Sequence, residues 1–433
     1  MANVLSSIEK LEKYTSTRFA VKALLVVICA FTLAAPIFFR NKSSLLYGFE
    51  AYFHLGHGTV SYILSFFSYI LRVDVFMVAK VLPIILGVLS LLLFYRILRS
   101  LGFRYWVVLL SCLILIFSPS FVFLFGTLTD FGLVAFLLLT VFYLLLHKKE
   151  LPALVIFYFV GFFGWLHLAV ALFLLLFYSL HVKRFRLFLF ALPSLVLILF
   201  SPAKNLFSFS SFVSDFGGSF GLGVFIIILS FFGLKYFWKE KYVHLYFYLS
   251  MLLFIVFAFF NLRVLSYLNF LLALLSALGL QVLFERHWRS KTIKFLTLLI
   301  LVIGLFISSV SYITGVVNGL PNKEVVDGLY ALRDLPDGAV FSHITRGYWV
   351  EFANKPFVSD NELLYTRDIE KASGIIESEQ ITYVWVDQDM RDRVWVEEDQ
   401  DLLFLLRYSD SFELVYSNSY VGIWKFNRKS LES

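Results

Sequence analysis

The stretch Gly48-Phe49-Glu50-Ala51-Tyr52-Phe53-His54-Leu55 comes soon after the first long apolar run of the chain. Glu50 and His54 lie four residues apart and so share one face of a helix. They fall at the edge of a region that reads as hydrocarbon-spanning. Ionisable side chains are costly there and are therefore functional candidates. A second reading stands beside this one: an interfacial helix whose Tyr52, Phe53 and His54 form an aromatic belt at headgroup level.

Working outward, the composition supports a membrane setting. The 433 residues are 60% hydrophobic, 19% aromatic and 15% charged, with a mean hydropathy of +0.83. Soluble domains carry about 45–50% apolar and about 25% charged residues. The net charge of +7 is spread in short basic clusters between apolar runs, which fits membrane orientation better than a nucleic-acid groove. Cys29 and Cys112 both sit in apolar segments, so free thiols are expected rather than a disulfide framework. The polar, partly charged residues 1–17 precede a long span, which reads as a retained first helix.

At roughly 20 apolar residues per crossing, about eleven transmembrane helices are expected. Their centres fall near residues 28, 85, 113, 138, 157, 172, 193, 228, 252, 273 and 305, with the weakest division at Gly161–Trp165. Alternate loops hold the basic clusters Arg96/Arg99/Arg104, Lys148/Lys149, Lys183/Arg184/Arg186, Lys235/Lys239/Lys241 and Arg286/Arg289/Lys291/Lys294. The positive-inside rule makes that side cytoplasmic, together with the N-terminus. Glu50, Asp130, Asp215 and Arg263 then share the outer side with the C-terminal tail. The expected architecture is a polytopic α-helical membrane protein with a small C-terminal extracytoplasmic α/β domain. Residues 1–318 form the membrane domain, with outer loops near 39–70, 120–131 and 201–220, and residues 319–433 form the outer domain. In that domain the patterns predict a helix over 322–334, strands over 339–342, 357–359 and 381–386, a helix over 366–378, and a hairpin over 412–426 around Ser417-Asn418-Ser419.

The remaining candidates line the outer side. Asp130 opens an apolar helix after Gly126-Thr127-Leu128-Thr129, where Thr and Asp also serve as ordinary N-caps. Asp215 sits in the loop Ser214-Asp215-Phe216-Gly217-Gly218. Arg263, squeezed between two spans, could grip a phosphate bidentately or snorkel to the interface. His167 reads as a helix-packing histidine. The run Ser342-His343-Ile344-Thr345-Arg346-Gly347-Tyr348-Trp349 gathers donors around a glycine, which makes Arg346 and Tyr348 candidates for an acceptor. No Walker loop, dinucleotide fingerprint, zinc spacing or nucleophile elbow occurs.

These segments resemble those of the GT-C superfamily of polyprenyl-phosphate-sugar-dependent glycosyltransferases. Gly48–Leu55 is similar to their first outer-loop motif, Thr129-Asp130-Phe131-Gly132 to their second acidic motif, and Asn261–Tyr267 to their Arg-containing helix. The likeness extends to a short oligosaccharyltransferase catalytic subunit. It departs from that family at Gly132, where a second acid is replaced, and at His343–Gly347, which lacks the paired Trp and the Asp of the acceptor-reading element. A single-sugar enzyme of the protein mannosyltransferase or aminoarabinose transferase type is resembled equally.

The resemblance implies sugar transfer from a polyprenyl-(di)phosphate donor to a protein, lipid or glycan acceptor on the extracytoplasmic side of the cell membrane. Glu50 and Asp130 become the candidate catalytic carboxylates and the ligands of an implied Mg2+ or Mn2+ ion. Arg263 and His54 become the donor-phosphate contacts, and Asp215 a further acid. A lipid-linked sugar transporter or flippase, or a non-catalytic membrane scaffold, is the alternative class. A transporter favours ionisable groups near mid-membrane, whereas these acids sit at the rim.

Overall fold

Apolar segments with no water to bond must close their N–H and C=O groups internally, which makes them helices. The computed structural model describes residues 15–39, 46, 51–56, 58–182, 222–238, 245–259, 261–318, 321–395, 397 and 399–427. The helices begin with α1 (Thr15–Phe39), α2 (Ala51–Gly56), α3 (Gly58–Leu71), α4 (Val75–Ser100), α5 (Tyr105–Ile116), α6 (Pro119–Gly126) and α7 (Asp130–Leu146). There follow α8 (Glu150–Val160), α9 (Trp165–His181), α10 (Val224–Phe237), α11 (Leu245–Ala258), α12 (Leu265–Glu285) and α13 (Lys291–Asn318). The C-terminal part continues with α14 (Lys323–Asp334), β1 (Ala339–Phe341), α15 (Gly347–Phe352), β2 (Phe357–Val358), α16 (Asn361–Leu364) and α17 (Ile369–Ser378). It ends with β3 (Ile381–Asp387), α18 (Gln388–Val394), α19 (Asp401–Tyr408), β4 (Phe412–Ser417) and β5 (Val421–Phe426).

Each expected span centre falls inside a helix except that near residue 193, which lies outside the described residues. Among the described residues, α1, α4, α12 and α13 contain four stretches long and apolar enough to cross a membrane; α5 and α6, bent by 66°, supply a fifth if taken as one span. The other apolar helices are shorter. The bend has a local cause. Pro119 cannot continue the α5 hydrogen-bond ladder, and Ser118 caps α6 by accepting the Phe121 N–H at 3.2 Å. The weak division at Gly161–Trp165 is a 3-10 turn, Gly161–Phe163, ending at Gly164 with φ +127°.

The described residues pack as two units: those of Met1–Asn41 with Met77–Asn318, and those of Lys42–Phe76 with Gly319–Ser433. The sequence division at 318/319 puts residues 39–70 with the helical part, whereas packing puts the described residues of 42–76 with the C-terminal part. The reason is aromatic: Tyr52 of α2 meets Phe352 of α15 edge-on at 5.3 Å, and Phe53 meets Tyr348 at 5.3 Å.

In the first unit, α12 is buried along most of its length and packs against α10, α5 and α11. Its crossing with α10 is close because Gly233 and Gly279 face the partner backbone; a Cβ on Gly279 would lie 2.0 Å from the Leu229 carbonyl oxygen. Small residues at such a crossing let two helices approach where hydrocarbon supplies no hydrophobic drive. Ser230 seals it, with its hydroxyl 3.0 Å from that of Ser276.

The second unit carries a five-stranded sheet of order β2-β1-β3-β5-β4. β1 runs parallel to both β2 and β3, while β5 pairs antiparallel with β3 and β4. Ile381–Asp387 is apolar almost throughout because β3 is central and buried on both faces. Asn418 closes the β4–β5 hairpin by accepting the N–H groups of Tyr420 and Val421 at 2.9 and 2.7 Å. The helix expected over 366–378 begins later, at Ile369. Asp368 is its cap, accepting the Glu370 and Lys371 N–H groups, and a separate turn of helix, Asn361–Leu364, precedes it.

Candidate active site

In the first unit, polar side chains from three helix starts meet. Thr129 caps α7 by accepting the Gly132 N–H at 3.2 Å, which presents Asp130 as the first helical residue. One Asp130 oxygen accepts the Phe131 N–H at 2.8 Å. The other faces His167 Nε2 of α9 at 3.5 Å. His167 Nδ1 lies 3.0 Å from the Tyr267 hydroxyl of α12. Phe131 wedges this line, with its ring edge-on to His167 at 4.6 Å and stacked on Tyr267 at 5.8 Å.

Arg263 joins the group from the 3-10 turn Leu262–Val264 that leads into α12. Its guanidinium carbon lies 5.9 Å from the Phe131 ring centroid. Asn261 holds that turn by accepting the Arg263 N–H at 3.1 Å, and the Ser266 hydroxyl donates to the Arg263 carbonyl. Arg263 thus borders the ring of the residue whose N–H the Asp130 carboxylate accepts. His167, read as packing only, is part of the cluster, and so is Tyr267. The signal available for His167 was its place three residues after Gly164, at a helix start like that of Asp130.

Gly132 has a steric reason. A Cβ there would sit 2.0 Å from the Leu124 carbonyl oxygen, so the close packing of α7 on α6 leaves no room for the second acid of the GT-C pattern. Glu50 and Asp215 lie outside the described residues. Among the described residues, no group of three His, Cys, Asp or Glu side chains could hold a metal ion. Mg2+ and similar hard cations take about six oxygen ligands. The described residues alone do not fit Mg2+ or Mn2+, and no step below passes through a metal.

The second unit contains the remaining candidates. His54 is buried beside Phe53, their rings 5.5 Å apart. Tyr52 is fully buried, and its hydroxyl accepts the Leu46 N–H at 3.2 Å. Tyr348 stays exposed at 38% of its surface. Arg346 does not. Its side chain is 3% exposed and donates from Nε to Asp387 at 2.7 Å, and from Nη2 to Asp387 at 3.0 Å and Asp389 at 2.7 Å. The guanidinium also lies 4.7 Å from the Trp349 ring centroid. Burial opposes its charge, but the bonds to Asp387 and Asp389 outweigh that and raise its pKa. Nearby His343 is shifted the other way, lowered by burial and by the Arg346 cation, against a smaller pull from Asp387 and Asp389.

No protein-family model matches the chain, and no curated protein matches it in sequence. Solved structures do. The oligosaccharyltransferase of Archaeoglobus fulgidus in its apo form is 14% identical, with a TM-score of 0.61, over 94% of this chain and 74% of that one. The same enzyme complexed with Zn and sulfate is 15% identical, with a TM-score of 0.55, over 94% and 73%. Its complex with an inhibitory peptide and a dolichol-phosphate, as AglB, is 13% identical, with a TM-score of 0.52, over 94% and 74%. At this identity the likeness establishes the fold: this chain folds like an oligosaccharyltransferase, as the GT-C resemblance implies.

Proposed function

We propose that this chain is a membrane glycosyltransferase that moves a sugar or glycan from a polyprenyl-(di)phosphate donor to an acceptor on the extracytoplasmic side. The observation that carries the reading is the line Asp130–His167–Tyr267, with His167, Tyr267 and Arg263 set around the Phe131 ring, on a fold like that of an enzyme solved with dolichol-phosphate. Three separate helix starts supply these side chains. Their meeting is consistent with the arrangement of about eleven spans, inferred from span length, that puts the three preceding loops on one face with the N-terminus opposite.

The reaction is a displacement at the anomeric carbon. Glu50 takes the proton of the acceptor hydroxyl or amide as its bond to the anomeric carbon forms. The bond from that carbon to the donor phosphate breaks, and the phosphate leaves with the electron pair. Arg263, with His54 on the first outer loop, compensates the charge that develops there; such stabilisation is often the largest single contribution to catalysis. Asp130 organises the rim where donor and acceptor meet, with Asp215 as a further acid. Tyr348 faces the acceptor, and Arg346 anchors the turn that carries it. A divalent cation at Asp130 would need Glu50 and Asp215 as additional ligands. Loss of turnover on chelation, restored by Mg2+ or Mn2+, tests that arrangement.

Two experiments test the reading. Mass spectrometry of surface glycans and lipid-linked sugars, with and without the gene, should show one glycan lost and its lipid-linked donor accumulating. Glu50→Gln in the purified chain should lower transfer about 10²–10⁴-fold, the usual worth of a general base, with membrane insertion intact. Normal turnover by that variant would remove the base from the scheme. Arg263→Ala should raise the donor KM, and unchanged donor kinetics would remove its phosphate role.

A further inference from the structure

The geometry points to His167 as a positioning residue: it holds the Asp130 carboxylate in its working orientation, and Tyr267 fixes the imidazole tautomer that does so. The inference rests on the glycosyl-transfer reading and names the part His167 plays in it.

Exposure separates the first of the three side chains from the other two. The Asp130 side chain keeps 23% of its surface and that of His167 keeps 4%, while Tyr267 is buried. The carboxylate is therefore the member that a ligand reaches, and the imidazole and phenol stand behind it. Hydrogen-bonding capacity then sets the tautomer. An ionised carboxylate can only accept, so in the neutral ring Nε2 carries the proton that faces Asp130 and Nδ1 accepts the Tyr267 hydroxyl proton at 3.0 Å. The other tautomer would set a nitrogen lone pair against the carboxylate.

With the Phe131 N–H on its first oxygen at 2.8 Å and His167 opposite its second at 3.5 Å, the carboxylate has a fixed plane. The longer of these contacts exceeds the roughly 2.7–2.9 Å of a tight charge-assisted bond. Contacts of this kind shorten when ligand completes a site. The Phe131 ring, edge-on to the imidazole at 4.6 Å, keeps it from swinging away. Ordinary space-filling by a buried histidine requires neither the directed Tyr267 contact nor the approach to Asp130.

The two roles separate in a crossover of variants. Full-length protein in detergent is assayed with a panel of dolichyl-phosphate hexoses and dolichyl-diphosphate oligosaccharides, with kcat and donor KM measured separately. His167→Phe keeps the ring shape and loses the N–H; His167→Gln loses the ring and keeps an N–H near the Nε2 position. Positioning predicts that His167→Phe lowers kcat about 100-fold, as a small misplacement of a reacting group can, with donor KM little changed. It also predicts that His167→Gln recovers most of that loss. Packing predicts the reverse order, and that order overturns the inference. If His167→Phe fails to fold, as judged by thermal melting, Tyr267→Phe decides: a lowered kcat at unchanged melting temperature and donor KM supports the role, and a wild-type kcat overturns it. Wild-type protein inert towards every donor would overturn the glycosyl-transfer reading, and this inference with it. A wild type that transfers sugar but shows the packing order overturns the role of His167 alone.

Discussion

In the second unit the Arg346 guanidinium lies against Asp387 and Asp389 and is almost wholly buried, whereas in the first unit the Asp130 carboxylate is set against His167 and a backbone N–H and stays partly exposed. Both clusters combine charge with an aromatic ring, Trp349 in one and Phe131 in the other. The Arg346 cluster closes its charges on one another and so serves the fold. The Asp130 cluster sets its carboxylate against the Phe131 N–H and His167 and leaves it partly exposed. A motif that gathers donors in sequence can therefore close its charges within the fold, and a histidine that reads as packing can stand behind a partly exposed carboxylate.

The comparison breaks most sharply if Arg346 proves dispensable. Arg346→Ala leaves two carboxylates short of their cation, one of them fully buried, and removal of one partner from a buried pair typically costs about 3–5 kcal/mol. Thermal unfolding of the full chain should fall accordingly, and an unchanged melting temperature would show that the cluster does not hold the fold. A smaller effect is expected at Gly132→Ala, whose Cβ would collide with the Leu124 carbonyl. Overpacking of this kind costs about 1–3 kcal/mol. The same melting assay checks it, and a neutral outcome would mean that α7 has room for a side chain beside Asp130.

The smallest effect concerns pH. The folded pKa of His343 lies below its ordinary value of 6.5, so the unfolded chain takes up the proton more readily. Stability should therefore rise with pH through the window from that lowered value up to 6.5, and fall as the pH drops through it. His343→Gln should flatten the melting profile between pH 5 and 7, a range chosen to bracket the roughly 6.5 of a free histidine. A profile identical to wild type would detach His343 from the Arg346 cluster.

The helices were legible because apolar run length is a local property. So were the strands of the C-terminal part, the helix expected over 322–334, and the hairpin at Phe412–Phe426 around Asn418. Asp130 was legible too, as an acid at a helix start. Its partner was read as packing alone, because His167 sits in a run of Trp, Leu and Ala, and its place just after Gly164 at a helix start does not say which residue it meets. Arg346 misled for the complementary reason: nothing in His343–Trp349 reveals that β3 ends in Asp387 directly beside it.

Composition and periodicity alone determined that this is a helical membrane chain with an α/β region at its C-terminal end, since burial in hydrocarbon or in a sheet constrains every residue of a segment. Which charges pair in the interior and which stay partly exposed was decided only by tertiary structure. His167 and Tyr267 lie 100 residues apart, as the cluster requires, and a contact at that separation leaves no trace in local pattern. It exists because α7, α9 and α12 begin at one place in the folded chain.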